Sequence, residues 1–562
     1  MLAMLRKEGK MDMRKEARMD RRKKLVIGIY MLACLMPLLL LPFFGREGAE
    51  SGEQAVRFPS VWDGKKINGN FSREMGDYFA ANFAFRKELV TLKGVLMEEL
   101  FHSSSNDQVI VGKEDVLFYE SSIADYTGKS GEDVAAVKAV ARNLSLMEKC
   151  LQDRGIRFCF TVAPNKNSLY PEYMPDRYSK NEDGRFMTKL DSELQREGIS
   201  YVDLFSLFRD SGKMYYHKRD SHWNNQGAVL VEQTLLTKIG FLPGTQELTE
   251  ERKDFTGDLD QMIRPKQMKK EWEFYDPAGH SYETLHKIQS NYDPYIETNC
   301  SQGIGNLVLY RDSFGNSLLP FMADQVERGI FSRSMPVDPE LTVSEDTDVV
   351  IVEIVERNLK LLAEHAPVLA SERINDLEVP DLSGEEEIQI VSERRENMLY
   401  VEGEPGENAQ EFYLQVTDGS GEISYYPMYH TLGEHKEYRG AEAYLKGLET
   451  GDYTFAILQI SDKKAILSKD AATVHWEEPE ETEKPAEEEG KKHSDDLPIA
   501  RSFIGKDVKE LIEKIGEPKR KSLGASCATE GEDGQYYYPD FTVYTQSETR
   551  GGTQIIQSVE EQ

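Results

Sequence analysis

Across residues 131–366, long helical patterns alternate with short strands built almost wholly of apolar residues, and this alternation constrains the fold more than any other feature. A helix over 133–153 precedes RFCFTVAP (157–164), and a second over about 185–197 precedes ISYVDL (199–204). Further on, NLVLY (306–310) leads through Arg311 and Asp312 into Ser313 and another helix, and DVVIVEI (348–354) is a largely apolar strand. A strand without a polar face has to be covered on both sides, which predicts an α/β fold with a parallel sheet flanked by helices. Ligands of such sheets bind outside the carboxyl ends of the strands, where Pro164-Asn165-Lys166 and Arg311-Asp312-Ser313 fall.

At 562 residues the chain exceeds one hydrophobic core, so further domains are expected. Amphipathic helices over 46–115 lead into the α/β domain (55–366), with a hairpin at VIVGKEDVLFY (109–119). Residues 385–476 carry short alternating stretches between Gly-rich turns and read as a small antiparallel β-sandwich. The acidic segment 477–497 is too charged to pack and reads as a disordered linker. The tail, 498–562, recovers apolar content as a small α+β module.

Near the start, residues 25–44 (LVIGIYMLACLMPLLLLPFF) hold no charge and are long enough to cross about 30 Å of hydrocarbon. Arg21, Arg22, Lys23 and Lys24 crowd the preceding side, within a basic tail over 1–24. The expectation is a single-pass transmembrane anchor with a cytoplasmic N-terminus and everything after it extracellular. A cleaved signal peptide is the rival, disfavoured because no A-x-A ending follows.

The net charge of −31 argues against a nucleic-acid partner, since phosphate binding needs a basic groove. The five cysteines (34, 150, 159, 300 and 527) show no zinc spacing, so no metal and no disulfide scaffold are expected, a Cys159–Cys300 bridge being the one exception considered.

The chemistry-bearing segment is YYHKRDSHWNNQGA (215–228). Read as extended chain, it puts Asp220 and His222 on one side, and a carboxylate beside an imidazole fixes its tautomer and supports the imidazolium. The nucleophile it lacks is Ser313, at a strand-to-helix turn where first-turn N–H groups have no helical partner and Gly315 lets the backbone approach a substrate. Each piece has a plainer reading. Asp-Ser-Phe-Gly is also an ordinary helix start, and Asp220–Trp223 also fits a surface turn around a buried Trp. Asn165 suits a second oxyanion donor, with Lys166 beside it a further oxyanion or substrate candidate, or else a simple turn with Lys166 in solvent. Tyr216, Trp223 and Tyr170 suit sugar stacking or core, and Glu353, Glu356 and Arg357 suit an ion pair that holds a loop.

Taken together, Asp220-Ser221-His222-Trp223-Asn224, Arg311 to Asn316, VAPNKNSLYPEYMP (162–175), the 109–119 hairpin and VVIVEIVERNL (349–359) resemble the DHHW-type, SGNH hydrolase-like acetyltransferases of the AlgJ/AlgX kind. The resemblance implies that Ser313 takes an acetyl group, with His222 and Asp220 completing a triad, and passes it to hydroxyls of a cell-envelope polysaccharide. It also implies an acetyl-donor partner of the membrane-bound O-acyltransferase (MBOAT) type; no cofactor is expected. An acetylesterase using the same triad and a non-catalytic glycan-binding scaffold are the alternatives.

Overall fold

The computed structural model describes residues 23–32, 35–36 and 58–561, apart from 64–65, 245, 396, 406–410, 433–438, 462–463, 470, 478–495, 526–530 and 548–550. It divides into two units, 1–106 with 260–268, and 107–259 with 269–562.

In the first unit, helices α1 (Phe71–Asn82) and α2 (Arg86–Phe101) follow each other closely. α2 buries Thr91, Gly94 and Glu98, and Arg264 pairs with Glu98 at 3.3 Å and with Asp260 at 2.9 Å. The expected spanning anchor over 25–44 is not upheld. Among the described residues no helix is long and apolar enough to cross a membrane. Helix is described there only over 23–32 and 35–36, short of the roughly 20 residues a span needs, and the rest of that stretch lies outside the described residues. The single-pass topology and the extracellular placement built on that anchor fall with it.

The second unit opens with the hairpin β1 (Val109–Val111) and β2 (Leu117–Tyr119). α3 (Val134–Asp153) starts at Asp133, whose carboxylate accepts the Ala136 N–H at 3.0 Å, and feeds β3 (Arg157–Ala163). α4 (Phe186–Glu197) ends at Gly198 in the left-handed conformation and is followed by β4 (Tyr201–Val202). Next come α5 (Asn225–Lys238) and the hairpin β5 (Glu250–Phe255) and β6 (Glu271–Tyr275). Then follow β7 (Glu283–Thr284), β8 (Tyr295–Asn299), β9 (Asn306–Tyr310), α6 (Gly315–Ala323), β10 (Arg328–Ser332) and β11 (Val349–Val355).

The main sheet runs in the order β4-β3-β11-β9-β10-β8-β7. The first five strands are parallel, and every residue of β11 is buried, as a strand covered on both faces requires. β8 and β7 join antiparallel at one edge. The sheet is therefore mixed, which corrects the expectation of a parallel sheet. YIETN and a two-residue strand hold no apolar run for the sequence pattern to detect. In register, Tyr310 lies beside Ser332 and Val352, and Ala163 beside Val355. The carboxyl ends of four strands thus form one rim, bearing Asn165, Ser313 and Arg357.

Residues 382–476 form a six-stranded and a four-stranded sheet. Their shared core takes Leu399, Val401 and Leu445 from one sheet and Phe412, Leu414 and Ile457 from the other. One pair, Leu382–Glu386 with Lys464–Ser468, is parallel, so this region is not purely antiparallel. Asn143 of α3 donates to His430 O at 2.8 Å and accepts the His430 N–H at 2.7 Å, which joins this region to the α/β core. Most of the acidic stretch 477–497 lies outside the described residues. At the C-terminus, α7 (Val508–Ile515) precedes an antiparallel sheet of β12 (Arg520–Ala525), β13 (Glu532–Tyr537), β14 (Phe541–Gln546) and β15 (Ile555–Glu561). Cys150, Cys159 and Cys300 are buried and free, so no Cys159–Cys300 bridge forms. Cys34 and Cys527 lie outside the described residues.

Candidate active site

The segment that carries Asp220 and His222 is a pinched loop and not an extended strand. Tyr216 and Trp223 bridge across it, and the Asn224 N–H donates to Tyr215 O at 2.8 Å. Asp220 Oδ1 accepts both the His222 backbone N–H and Nδ1–H, each at 2.8 Å. The pair therefore meets through an Asx-type bend, a route that strand alternation does not supply. Three supports hold the bend. Lys166, 4 % exposed, donates to the carbonyls of His217 and Lys218 at 3.0 and 2.9 Å, and to that of Asp220. Glu271 accepts the N–H groups of Lys218 and Arg219, both at 2.8 Å. Asn224 caps α5 by accepting the Gly227 N–H at 2.9 Å.

Ser313 lies between β9 and α6, partly exposed. Its Oγ is 2.9 Å from His222 Nε2. Asp312 fixes the turn by accepting the Phe314 N–H at 2.9 Å and the Val355 N–H at 2.7 Å. A Cβ on Gly315 would stand 2.5 Å from Arg311 Cβ. The Arg311 stem thus requires glycine here. The aromatic residues form the floor: Phe314 packs on His222 at 4.7 Å between ring centres and edge-on to Trp223 at 4.9 Å. Trp223, 2 % exposed, donates to Ser317 Oγ at 2.8 Å, and Tyr216 donates to Pro164 O at 2.6 Å. Tyr216, Trp223 and Tyr170 are buried and pack against other aromatic rings, so none of them offers a face to a sugar.

Asp258, which no sequence motif marks, completes the electrostatics. Its backbone N–H donates to Asp220 Oδ2 at 2.8 Å, its Oδ1 accepts the Ser221 N–H at 2.8 Å, and its Oδ2 accepts from Ser221 Oγ. That Oδ2 stands 3.6 Å from His222 Nδ1. Burial disfavours the imidazolium, but Asp220 and then Asp258 more than offset it, and His222 titrates above the ordinary histidine range. Burial likewise opposes ionisation of Asp220, but His222 and the N–H groups of residues 222 and 258 hold its carboxyl well below the usual range. The imidazole accepts a proton only when neutral, so a raised pKa moves the acid limb of a pH–rate profile up. Asp258→Asn keeps the Ser221 contacts and removes one source of that shift. The acid limb of kcat/KM should fall to lower pH while plateau kcat changes by less than about tenfold. An unmoved limb would remove Asp258 from this account.

Asn165 is buried at the same rim, but its amide donates to Asp125 Oδ2 at 2.9 Å and its Oδ1 faces Arg357 Nη1 at 3.4 Å. Lys166 braces the loop and is not in solvent; burial first and foremost pulls its pKa down to about 8. Glu356 pairs with Arg185 (Nε to Oε1, 3.0 Å) and accepts from Ser168 Oγ at 2.7 Å, so the ion pair at this strand end uses Arg185 and not Arg357. Glu353 accepts the Asp312 N–H at 3.3 Å. The Arg357 guanidinium instead stands 5.3 Å from the Tyr119 ring centre and 5.6 Å from that of Phe314, and its charge acts on His222. Among the described residues, Asp220, His222 and Asp258 are the group whose ligand atoms, all within 4.8 Å, suit a metal ion. Their hydrogen bonds already assign those atoms to one another and to Ser221.

Residues 109–291 match the family model described as SGNH hydrolase-like domain, acetyltransferase AlgX. The match is at family level. It spans Asp220 and His222 and ends before Ser313. A probable alginate O-acetylase AlgJ of Pseudomonas aeruginosa is 25 % identical over 186 residues, 32 % of this chain and 46 % of the relative. The chain thus spans about half the length of that curated relative. Among solved structures, Bacillus cereus PatB1 is similar at a TM-score of 0.35 and 13 % identity, over 45 % of this chain and 97 % of that one. A DHHW family protein from Eubacterium siraeum is similar at 0.30 and 15 %, over 39 % and 85 %.

Proposed function

We propose that this chain is a serine-dependent O-acetyltransferase that transfers acetyl groups to hydroxyls of a cell-envelope polysaccharide. The observation that carries the reading is the unbroken relay from Asp220 through His222 to Ser313, with contacts of 2.8 and 2.9 Å. His222 Nε2 takes the Ser313 proton as Oγ attacks the acetyl carbonyl carbon, and the same proton passes to the leaving donor oxygen as its bond to that carbon breaks. A sugar hydroxyl then gives its proton to His222, attacks the acetyl-serine, and Ser313 leaves with the proton. The carbonyl oxygen becomes negative in both halves. We assign to it the Gly315 N–H at the head of α6, since the Phe314 and Asn316 N–H groups are taken by Asp312 and Ser313 O, together with the Arg357 guanidinium. The acetyl donor in this reading is a membrane-bound O-acyltransferase of the MBOAT type.

Transfer and hydrolysis share the acyl-serine and differ only in which oxygen reaches it. With a model acetyl ester and a soluble oligosaccharide acceptor, acetylated oligosaccharide should accumulate and overall ester turnover should rise with acceptor concentration. Release of free acetate alone, at a rate indifferent to the acceptor, would make the protein an esterase.

A further inference from the structure

The C-terminal module packs one face of its sheet on its own helix, through Tyr536, Tyr538, Phe541 and Val543 against Val508 and Leu511 of α7. Gln535, Tyr537 and Tyr544 sit on the other face and meet the loop that enters β8. Gln535 has no exposed surface. Its Oε1 accepts the Tyr295 N–H at 2.8 Å, and its Nε2 donates to Asp293 Oδ2 at 3.1 Å. The Tyr544 hydroxyl donates to that same carboxylate oxygen at 3.4 Å, and the Tyr537 hydroxyl donates to Gln535 Oε1 at 2.7 Å. At the periphery, Lys287 pairs with Glu560 and Gln289 donates to Ser558, each at 2.9 Å.

The loop gripped in this way is the socket for Arg311. Arg311 Nη2 donates to the carbonyls of Asn291 and Asp293 at 2.9 and 3.1 Å, and Nη1 donates to Asn316 Oδ1. Arg311 is 4 % exposed, precedes Ser313 by two residues, and has Gly315 pressed on its stem. Asp293 also accepts the Gln289 and Ser290 N–H groups, at 2.9 and 3.2 Å. One carboxylate therefore shapes the loop and receives the module. Apolar packing alone would hold the module without fixing the loop's position, whereas a buried amide engaged at both ends is directional and costly to leave unpaired.

We propose that Gln535 is a positioning residue, holding the Asn291 and Asp293 carbonyls onto Arg311 so that the Ser313 hydroxyl stays against His222. The inference rests on the acyl-serine reading. It makes the C-terminal module part of the apparatus that aims the nucleophile.

The test breaks the Gln535 hydrogen bonds in the full chain in two ways. Gln535→Glu keeps an acceptor for Tyr295 and Tyr537 but sets a second carboxylate against Asp293. Gln535→Met, of similar length, removes both amide contacts without adding a charge and leaves the Asp293 contacts with Gln289 and Ser290 in place. Gln535→Glu should lower kcat on a model acetyl ester about ten- to a hundredfold with KM nearly unchanged, and should slow labelling of Ser313 by a sulfonyl fluoride by a similar factor. Gln535→Met should show a loss of the same order in kcat and in labelling, again with KM nearly unchanged. A folded Gln535→Glu protein with wild-type kcat and labelling overturns the proposal. If that variant does not fold, Gln535→Met decides: a folded protein with kcat lowered about tenfold or more at nearly unchanged KM supports the proposal, and one with wild-type kcat and labelling overturns it. Wild-type protein that neither turns over the ester nor labels at Ser313 overturns the acyl-serine reading and this inference together. A labelled wild type with an indifferent Gln535 overturns only the inference.

Discussion

Ser313→Ala is expected to reduce turnover of a model acetyl ester by on the order of 10⁴-fold or more while leaving thermal unfolding within a few degrees of wild type. The two halves of that expectation have separate causes. The hydroxyl makes the 2.9 Å contact with His222 and is partly exposed, so its removal opens no core cavity. The turn is held by groups the substitution does not touch: Asp312 with the N–H groups of Phe314 and Val355, and Arg311 with Asn316 and the Asn291 and Asp293 carbonyls. Loss of the nucleophile without loss of its frame is what a steady-state assay beside a melting curve would read. His222→Ala should cost about as much, and the double variant little more than either single one, because nucleophile and base act on one step. A Ser313→Ala protein with more than about a tenth of wild-type turnover would place the chemistry elsewhere.

How far the sequence alone reaches follows from what kind of interaction each element depends on. Apolar runs such as VVIVEIV, interrupted only by Glu353, are legible because a strand buried on both faces has to be mostly apolar. The antiparallel edge made by YIETN is not, since a partly polar strand looks like loop until a neighbour is present. The apolar character of residues 25–44 indicates a span by composition, but a span also requires an unbroken helix of sufficient length, and none is found among the described residues. At the site, Asp220 and His222 are legible as a pair from their spacing, although the bend that joins them depends on backbone N–H groups. Asp258 is illegible, since nothing near it in sequence distinguishes it from any surface carboxylate. Lys166 reads as solvent-exposed because only the fold reveals three carbonyls waiting for its ammonium group. Tyr216 and Trp223 are ambiguous between sugar platform and core until the rings around them are seen.

Asp220→Asn should bring the second large loss, on the order of 10³- to 10⁴-fold in kcat at neutral pH, and its pH profile separates two roles that Asp258→Asn leaves joined. Asp220 Oδ1 takes two N–H donors from His222, and Oδ2 takes the Asp258 N–H. An amide cannot satisfy all three. With its NH₂ toward His222, the ring must accept at Nδ1, which places the proton on Nε2 and leaves nothing to receive the Ser313 proton. With its NH₂ toward Asp258, the tautomer survives but two donors confront each other and the imidazolium loses the carboxylate that stabilises it. In either orientation the charge that raises the His222 pKa is gone while burial continues to lower it, so the remaining activity should show an acid limb below that of the wild type. Asp258→Asn should move the limb the same way with the plateau largely kept, because the tautomer there still rests on Asp220. A profile of kcat/KM against pH for wild type and both variants distinguishes the two roles. If Asp220→Asn merely shifted the limb and reached a wild-type plateau, Asp220 would tune charge alone, and the orientation of the ring would have to come from Ser221, whose Oγ lies 3.2 Å from Nδ1.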